Sequence, residues 1–240
     1  MVNYLIIAAC SFAFLAQLAA GQDGILLVER FGMIPARLSN PGVAPIIRQS
    51  VVVRDAFGRE QGAVIEREAA PAAVPIWMTL VTCMFLHGGW MHFLGNMWFL
   101  HIFGDNVEDR LGHFGFSLLY LGTGALASLA HVAAGPESPI PTIGASGAIA
   151  GVMGAYAWFY PHAKVQAVLP LFIIIQVFVL PAPVFLGIWF LIQTLSGLTS
   201  GATSGVAWWA HIGGFVAGAL IALVAGRAHW DHEAVSERRF

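Results

Sequence analysis

Apolar runs of membrane-crossing length recur along this 240-residue chain, and they leave few folds open. A hydrocarbon core of about 30 Å takes about 20 residues of helix at a rise of ~1.5 Å each. Runs of that order, bounded by charge, Gly or Pro, lie at roughly 2–20, 90–110, 113–134, 143–160, 183–199 and 206–226. Charged residues make up 10% of the chain, where soluble domains carry about a quarter. The expectation is an all-α polytopic membrane protein: a bundle of six transmembrane helices in one domain over 1–240, with a long polar loop at 22–75 between helices 1 and 2 and a short cytoplasmic tail at 227–240. The first run has no Lys or Arg before it, unlike a secretory signal peptide, and is read as a helix.

Charge concentrates in the first loop, which holds Arg30, Arg37, Arg48, Arg54, Arg59 and Arg67 with a similar number of acids. Within it Ser50-Val51-Val52-Val53-Arg54 fits a short strand that pattern alone does not place. The run Ile76–Leu86 is too short to span and reads as lying in or dipping into the interface. The stretch Pro170–Pro183 is short and bounded by prolines, and reads as leading into helix 5. A net charge of −2 excludes a strongly basic nucleic-acid binder. Cys10 and Cys83 form no metal-ligand pattern and read as small buried apolar residues.

With six helices, Arg110, Lys164, Arg227, Arg238 and Arg239 fall on one side, while the connections 135–142 and 200–205 carry no Lys or Arg. The positive-inside rule then puts both termini in the cytoplasm, with the arginines of the first loop as the opposing count. Helices 2, 4 and 6 start on the other side. With starts near Gly89, Thr142 and Val206, the residues His92, Ser146 and His211 lie about three to five residues in, roughly 5–8 Å below the helix starts. Polar groups at a common depth in a membrane are costly unless they face a cavity or one another, so the three form a site hypothesis.

The chemistry open to that layer is narrow. A serine hydroxyl becomes a nucleophile when an adjacent base takes its proton, and neutral histidine is the commonest such base. Ser146 and His211 make that pair, and no Asp or Glu lies at their depth in helices 2 to 6, so a dyad and not a triad is expected. His92 and Asn96, spaced i,i+4, offer two donors on one helical face for an oxyanion. The Ser146 N–H, at a helix N-terminus, can point at the same oxygen, with Gly144 and Gly147 leaving the backbone open. Taken alone, Ser146 would more often be a packing serine. The Gly147/Gly151 and Gly214/Gly218 pairs read first as close-packing faces. His87, His101, His113, His131 and His162 read as interfacial or structural.

Other classes compete. A non-catalytic binder of membrane helices would keep the glycine faces but has no need of Ser146 and His211. A haem protein could use His92 and His211 as axial ligands, but leaves Gly144-Ala145-Ser146-Gly147 and Asn96 unexplained. A membrane zinc protease needs an H-E-x-x-H helix, and no such pattern occurs.

Three segments together resemble the rhomboid family of intramembrane serine proteases. His87-Gly88-Gly89-Trp90-Met91-His92-Phe93-Leu94-Gly95-Asn96 matches its H-x4-H-x3-N helix, Gly144-Ala145-Ser146-Gly147 its GxSG, and Ala210-His211-Ile212-Gly213-Gly214-Phe215-Val216-Ala217-Gly218 its AHxxGxxxG. They occur in family order, and the likeness runs from about Ile76 to Ala225. The resemblance implies a six-helix core that cleaves peptide bonds in or near transmembrane segments of other membrane proteins, needing no cofactor or metal. It implies Ser146 as nucleophile, His211 as base and then acid, His92, Asn96 and the Ser146 amide at the oxyanion, and Gly144 shaping the loop. Substrates would be membrane proteins with easily unwound helices and a small residue at the cut. Glu108 and Arg110 match a structural motif at the cytoplasmic end of helix 2, and helix 5, with Trp189 and Phe190, matches the lateral gate. The chain departs from the family where Trp77 is followed by Met78 instead of Arg, and where Ala150 replaces an aromatic that packs on the histidine. A prokaryotic plasma membrane, with the site opening to the non-cytoplasmic side, is the expected location.

Overall fold

The computed structural model describes residues 1–54, 59–171, 174–199 and 206–226. It is mostly helical. Helix α1 (Val2–Ala19) is followed by α2 (Gly24–Phe31) and α3 (Pro35–Ser39), then by an antiparallel hairpin of β1 (Ile46–Arg54) and β2 (Glu60–Glu68). The short α4 (Thr79–Thr82), flanked by 3-10 turns, precedes α5 (Trp90–Ala134) and α6 (Ser146–Phe159). A second antiparallel hairpin, β3 (Lys164–Leu171) with β4 (Ile174–Pro181), leads into α7 (Ala182–Thr199), and α8 (Trp208–Ala225) ends the described chain. Among the described residues four helices are long and apolar enough to cross a membrane: α1, α5, α7 and α8. The expected tail 227–240, with Arg227, Arg238 and Arg239, and the connection 200–205 lie outside the described residues.

Two of the expected spans take unexpected forms. The runs 90–110 and 113–134 join into the 45 residues of α5, broken at Gly112, whose φ of 70° and ψ of 168° are not helical. A positive φ suits glycine, which has no Cβ to clash, so the chain turns there without ending. The run near 143–160 becomes α6, of 14 residues, starting at Ser146 and not near Thr142. At ~1.5 Å per residue α6 is about 21 Å long. Its residues from Gly147 through Tyr156 are all buried, so it is the central post of the bundle.

Glycine governs how α8 meets that post. A Cβ on Gly214 would strike the Gly147 carbonyl oxygen, and one on Gly218 would strike the Gly151 carbonyl oxygen. The two backbones therefore touch directly, as small-residue faces permit where no hydrophobic effect drives helices together. Thr123 on α5 closes in on Gly151 from the other side, its Oγ1 bonded back to Leu119 O at 2.7 Å.

One end of the bundle is tied by Glu108, 2% exposed in α5. Its carboxylate accepts the Met1 ammonium at 2.8 Å and the Val2 and Asn3 amides at 2.7 Å each, and contacts His113. The unpaired amides that open α1 thus find an anion on another helix. Arg110 lies over the Phe159 ring, 5.4 Å from its centroid, joining the kink of α5 to the end of α6.

The segment expected as a long polar loop, with Ser50–Arg54 fitting a short strand, forms helices and a hairpin. Strand β1 contains the Ser50–Arg54 stretch, and Arg48 opposes Glu66 while Arg54 opposes Glu60 across the hairpin, with bonds of 2.8 and 2.9 Å. Facing opposite charges favour this register. The loop's anchor is Glu29, 2% exposed, whose carboxylate accepts Arg67 at 3.0 Å and the Ala70 amide at 2.8 Å. Arg37 donates to the carbonyls of Glu29 at 2.8 Å and Ala70 at 2.6 Å. These contacts tie α2, α3 and the end of the hairpin together. The stretch 170–183 does lead into α7, but through β4, because Ile174-Ile175-Gln176-Val177-Phe178-Val179 is β-branched and aromatic.

The Arg67 hydrogen bond holds the Glu29 carboxyl below the usual carboxylate range. Its stabilising contribution is therefore complete above the unfolded chain's carboxylate pKa and is lost as pH falls through the lowered folded value. Acid titration of loop proteolysis should show protection failing in that window, and Glu29→Gln should already be cleaved faster at neutral pH. At the helix contact, Gly218→Ala should lower unfolding stability in micelles by about 1–3 kcal/mol. Gly122→Ala, whose methyl would meet nothing within 4 Å, should not lower it.

Candidate active site

At the end of the bundle opposite Glu108, the starts of α5, α6 and α8 and one face of α7 surround a cavity of about 780 Å³. His92, Asn96, Ser146, Trp189, Gln193 and His211 line it. Ser146 is the first residue of α6, and His211 is the fourth of α8. The direct α6–α8 contact brings His211 Nε2 to 2.7 Å from Ser146 Oγ.

The other ring nitrogen of His211 is also engaged, Nδ1 lying 2.7 Å from Gln193 Oε1 of α7. Two indoles flank the ring, Trp189 at 5.9 Å between centroids and Trp208 at 6.2 Å and nearly perpendicular. The departure at Ala150 is thus met from different elements: α7 and the first turn of α8 supply the aromatic surfaces that α6 does not.

Gly144 shapes the approach to Ser146. Its φ of 125° is unfavourable for any side chain, and a Cβ there would stand 2.7 Å from both Cε1 and Nε2 of His92. The same point is 3.7 Å from Ser146 Oγ, so the Nε2 edge of His92 and the serine hydroxyl face one small volume. The Gly144 amide donates to Cys83 O at 2.9 Å, and Thr142 pairs with Met33 in an isolated bridge. The segment 76–86, expected at the interface, therefore packs on the bundle and helps to hold the serine loop.

His92 Nδ1 accepts the Gly88 amide at 3.3 Å. That bond leaves the ring proton on Nε2, the nitrogen turned toward Gly144 and Ser146. Asn96, one turn further along α5, is 7% exposed, and its Nδ2 has no hydrogen-bond partner among the described residues. Two side-chain donors of one helical face thus line the space beside Ser146. The amide of Ser146, at the first position of α6, belongs to the turn whose N–H groups have no intrahelical acceptor.

All five expected positions, His92, Gly144, Asn96, Ser146 and His211, come together here. His131, read as structural, also lines the cavity, with its buried Nδ1 unpartnered among the described residues. Gln193 went unread, although it is the one amide side chain in the apolar stretch 182–199, and a polar group at membrane depth is a signal in itself.

The family description "Rhomboid domain" matches residues 75–228, more than half of the chain. The chain is 42% identical over 78 residues to Rhomboid-like protein 11, chloroplastic, of Arabidopsis thaliana, which is 32% of this chain and 28% of that protein. It is 35% identical over 80 residues to the Putative rhomboid protease YdcA of Bacillus subtilis, 33% of this chain and 40% of that one. It is 30% identical over 153 residues to Rhomboid protein 1, mitochondrial, of Saccharomyces cerevisiae, 60% of this chain and 40% of that one. The chain spans less than half the length of each of these relatives. Two of these relatives carry organellar names, chloroplastic and mitochondrial, so the comparisons do not support the expected prokaryotic plasma membrane. The membrane-length helices and the domain match make this an integral membrane protein, and the chain belongs to the rhomboid family.

Proposed function

We propose that this protein is an intramembrane serine endopeptidase that cuts peptide bonds in or near transmembrane segments of other membrane proteins, with Ser146 and His211 as its dyad. The observation that carries this reading is the 2.7 Å contact between His211 Nε2 and Ser146 Oγ at the wall of a cavity. His211 Nε2 takes the hydroxyl proton as the Oγ–carbon bond forms and the carbonyl π pair moves onto oxygen. His92 Nε2–H, the Asn96 amide and the Ser146 N–H receive that oxyanion. As the carbon–nitrogen bond breaks, His211 gives the proton to the leaving amine, and water then hydrolyses the acyl-serine by the same base.

The membrane arrangement belongs to the same reading. Counting α5 as two crossings either side of Gly112 and adding α6 as a buried short one yields six helices, the whole chain acting as one domain. The N-terminus, the α5 kink with Arg110 and the end of α6 then share the cytoplasmic end, and the cavity opens on the other side. Substrates are membrane proteins whose helices unwind readily and present a small residue. Helix α7 is the lateral gate, with Phe190 stacked on Phe215 at 4.8 Å and Trp189 standing beside His211.

The decisive experiment is cleavage of a transmembrane reporter in proteoliposomes by wild type, Ser146→Ala and His211→Ala at matched folding. Both variants should be inactive, and cleavage surviving in either would overturn the dyad. His92→Ala and Asn96→Ala should each lose about 10²–10³ in kcat. For the gate, Phe190→Ala should raise reporter cleavage; an unchanged or lower rate at equal protein counts against it. Trp189→Ala should gain less, because it also removes a ring beside the base.

A further inference from the structure

We infer that Gln193 is a positioning residue for the reaction, selecting the tautomer of His211 in which Nε2 is free to accept the Ser146 proton. The inference rests on reading Ser146 and His211 as nucleophile and base. A neutral imidazole carries one proton, on either Nδ1 or Nε2, and only the Nδ1–H form leaves a lone pair facing the serine hydroxyl. The Gln193 Oε1, 2.7 Å from Nδ1, is an acceptor in the place where a serine triad has its carboxylate.

Several features make this arrangement specific. Gln193 is 8% exposed, and its side chain is turned inward from a helix that is otherwise the least buried of the membrane-length four. Trp189 precedes it by one helical turn, so the two residues that α7 presents to His211 share one face, one fixing the ring's tautomer and the other its plane. An amide also suits the site better than a carboxylate would. Its oxygen accepts a hydrogen bond from Nδ1–H before and after Nε2 is protonated, yet adds no charge to an apolar helix, where an ion costs several kcal/mol. The absence of an acid at this depth is then accounted for: a neutral acceptor performs the orienting part of its role.

The full chain, uniformly folded in micelles and labelled with 15N-histidine, supplies the test. The His211 resonances are identified by their loss in His211→Gln, and the second-order rate of Ser146 labelling by a fluorophosphonate is followed in parallel. In that labelling the Oγ–phosphorus bond forms, fluoride leaves and Nε2 takes the hydroxyl proton. Wild type should show neutral His211 as the Nδ1–H tautomer. Gln193→Met, equal in length without the acceptor, should lose that signature and label about 10²-fold more slowly. Gln193→Glu, which restores an acceptor oxygen, should recover the Nδ1–H signature and much of the rate. A wild-type His211 protonated on Nε2, or a folded Gln193→Met that labels at the wild-type rate, would overturn the inference. Wild type that shows the Nδ1–H tautomer but never labels at Ser146 would instead overturn the nucleophile reading, and the catalytic role of Gln193 with it.

Discussion

The direct backbone contact between α6 and α8 is the constraint from which the site follows. Lipid tails are as apolar as leucine, so helices in a membrane gain little by hiding apolar surface from it and must associate through close contact. Gly147 and Gly151 on one helix and Gly214 and Gly218 on the other bring carbonyl oxygens against bare α-carbons. Ser146 immediately precedes the first of those glycines, and His211 lies three residues before Gly214. The helix spacing that the glycines allow is therefore also the spacing of hydroxyl and imidazole.

At one end of the bundle Glu108 is almost fully hydrogen-bonded, closing the opening amides of α1 against the kink of α5. At the other, polar atoms are left facing a cavity: the Asn96 amide, the Nε2 edge of His92 and the open first turn of α6. Buried polar groups without partners are expensive, and the Asn96 amide is one such group facing the cavity beside Ser146. The first loop, tied through Glu29, Arg37 and Arg67, and the turns around Cys83 brace the serine loop from outside the helices.

Gln193 and Trp189 place part of the site's geometry on α7, the helix that packs least closely on the rest. On the proposed reading of α7 as a gate, an element that holds His211 would couple access to readiness. The amide holds the imidazole through one hydrogen bond and not through a charge pair, so α7 carries no buried ion if that bond opens.

Much was legible in the chain itself because membranes impose strict rules. Run length specified the apolar helices, and intramembrane His, Ser and Asn stood out because such groups are costly there. Parity of the helices placed His92, Ser146 and His211 at one end, and the three motifs named the family. Other features depended on contacts that no local pattern encodes. Continuity of α5 through Gly112, the short buried α6 and the hairpins at 46–68 and 164–181 arise from packing and pairing partners distant in sequence. The partner of His211 was hidden for the same reason: Gln193 is 18 residues away on a different helix, and only the seating of α7 against α8 turns its oxygen to Nδ1. Sequence alone determined the membrane class and the family and singled out Ser146 and His211, since hydrophobic length and residue chemistry are local properties. Tertiary structure decided the distance between Ser146 and His211 and what holds the imidazole, because each of these is set by two helices meeting.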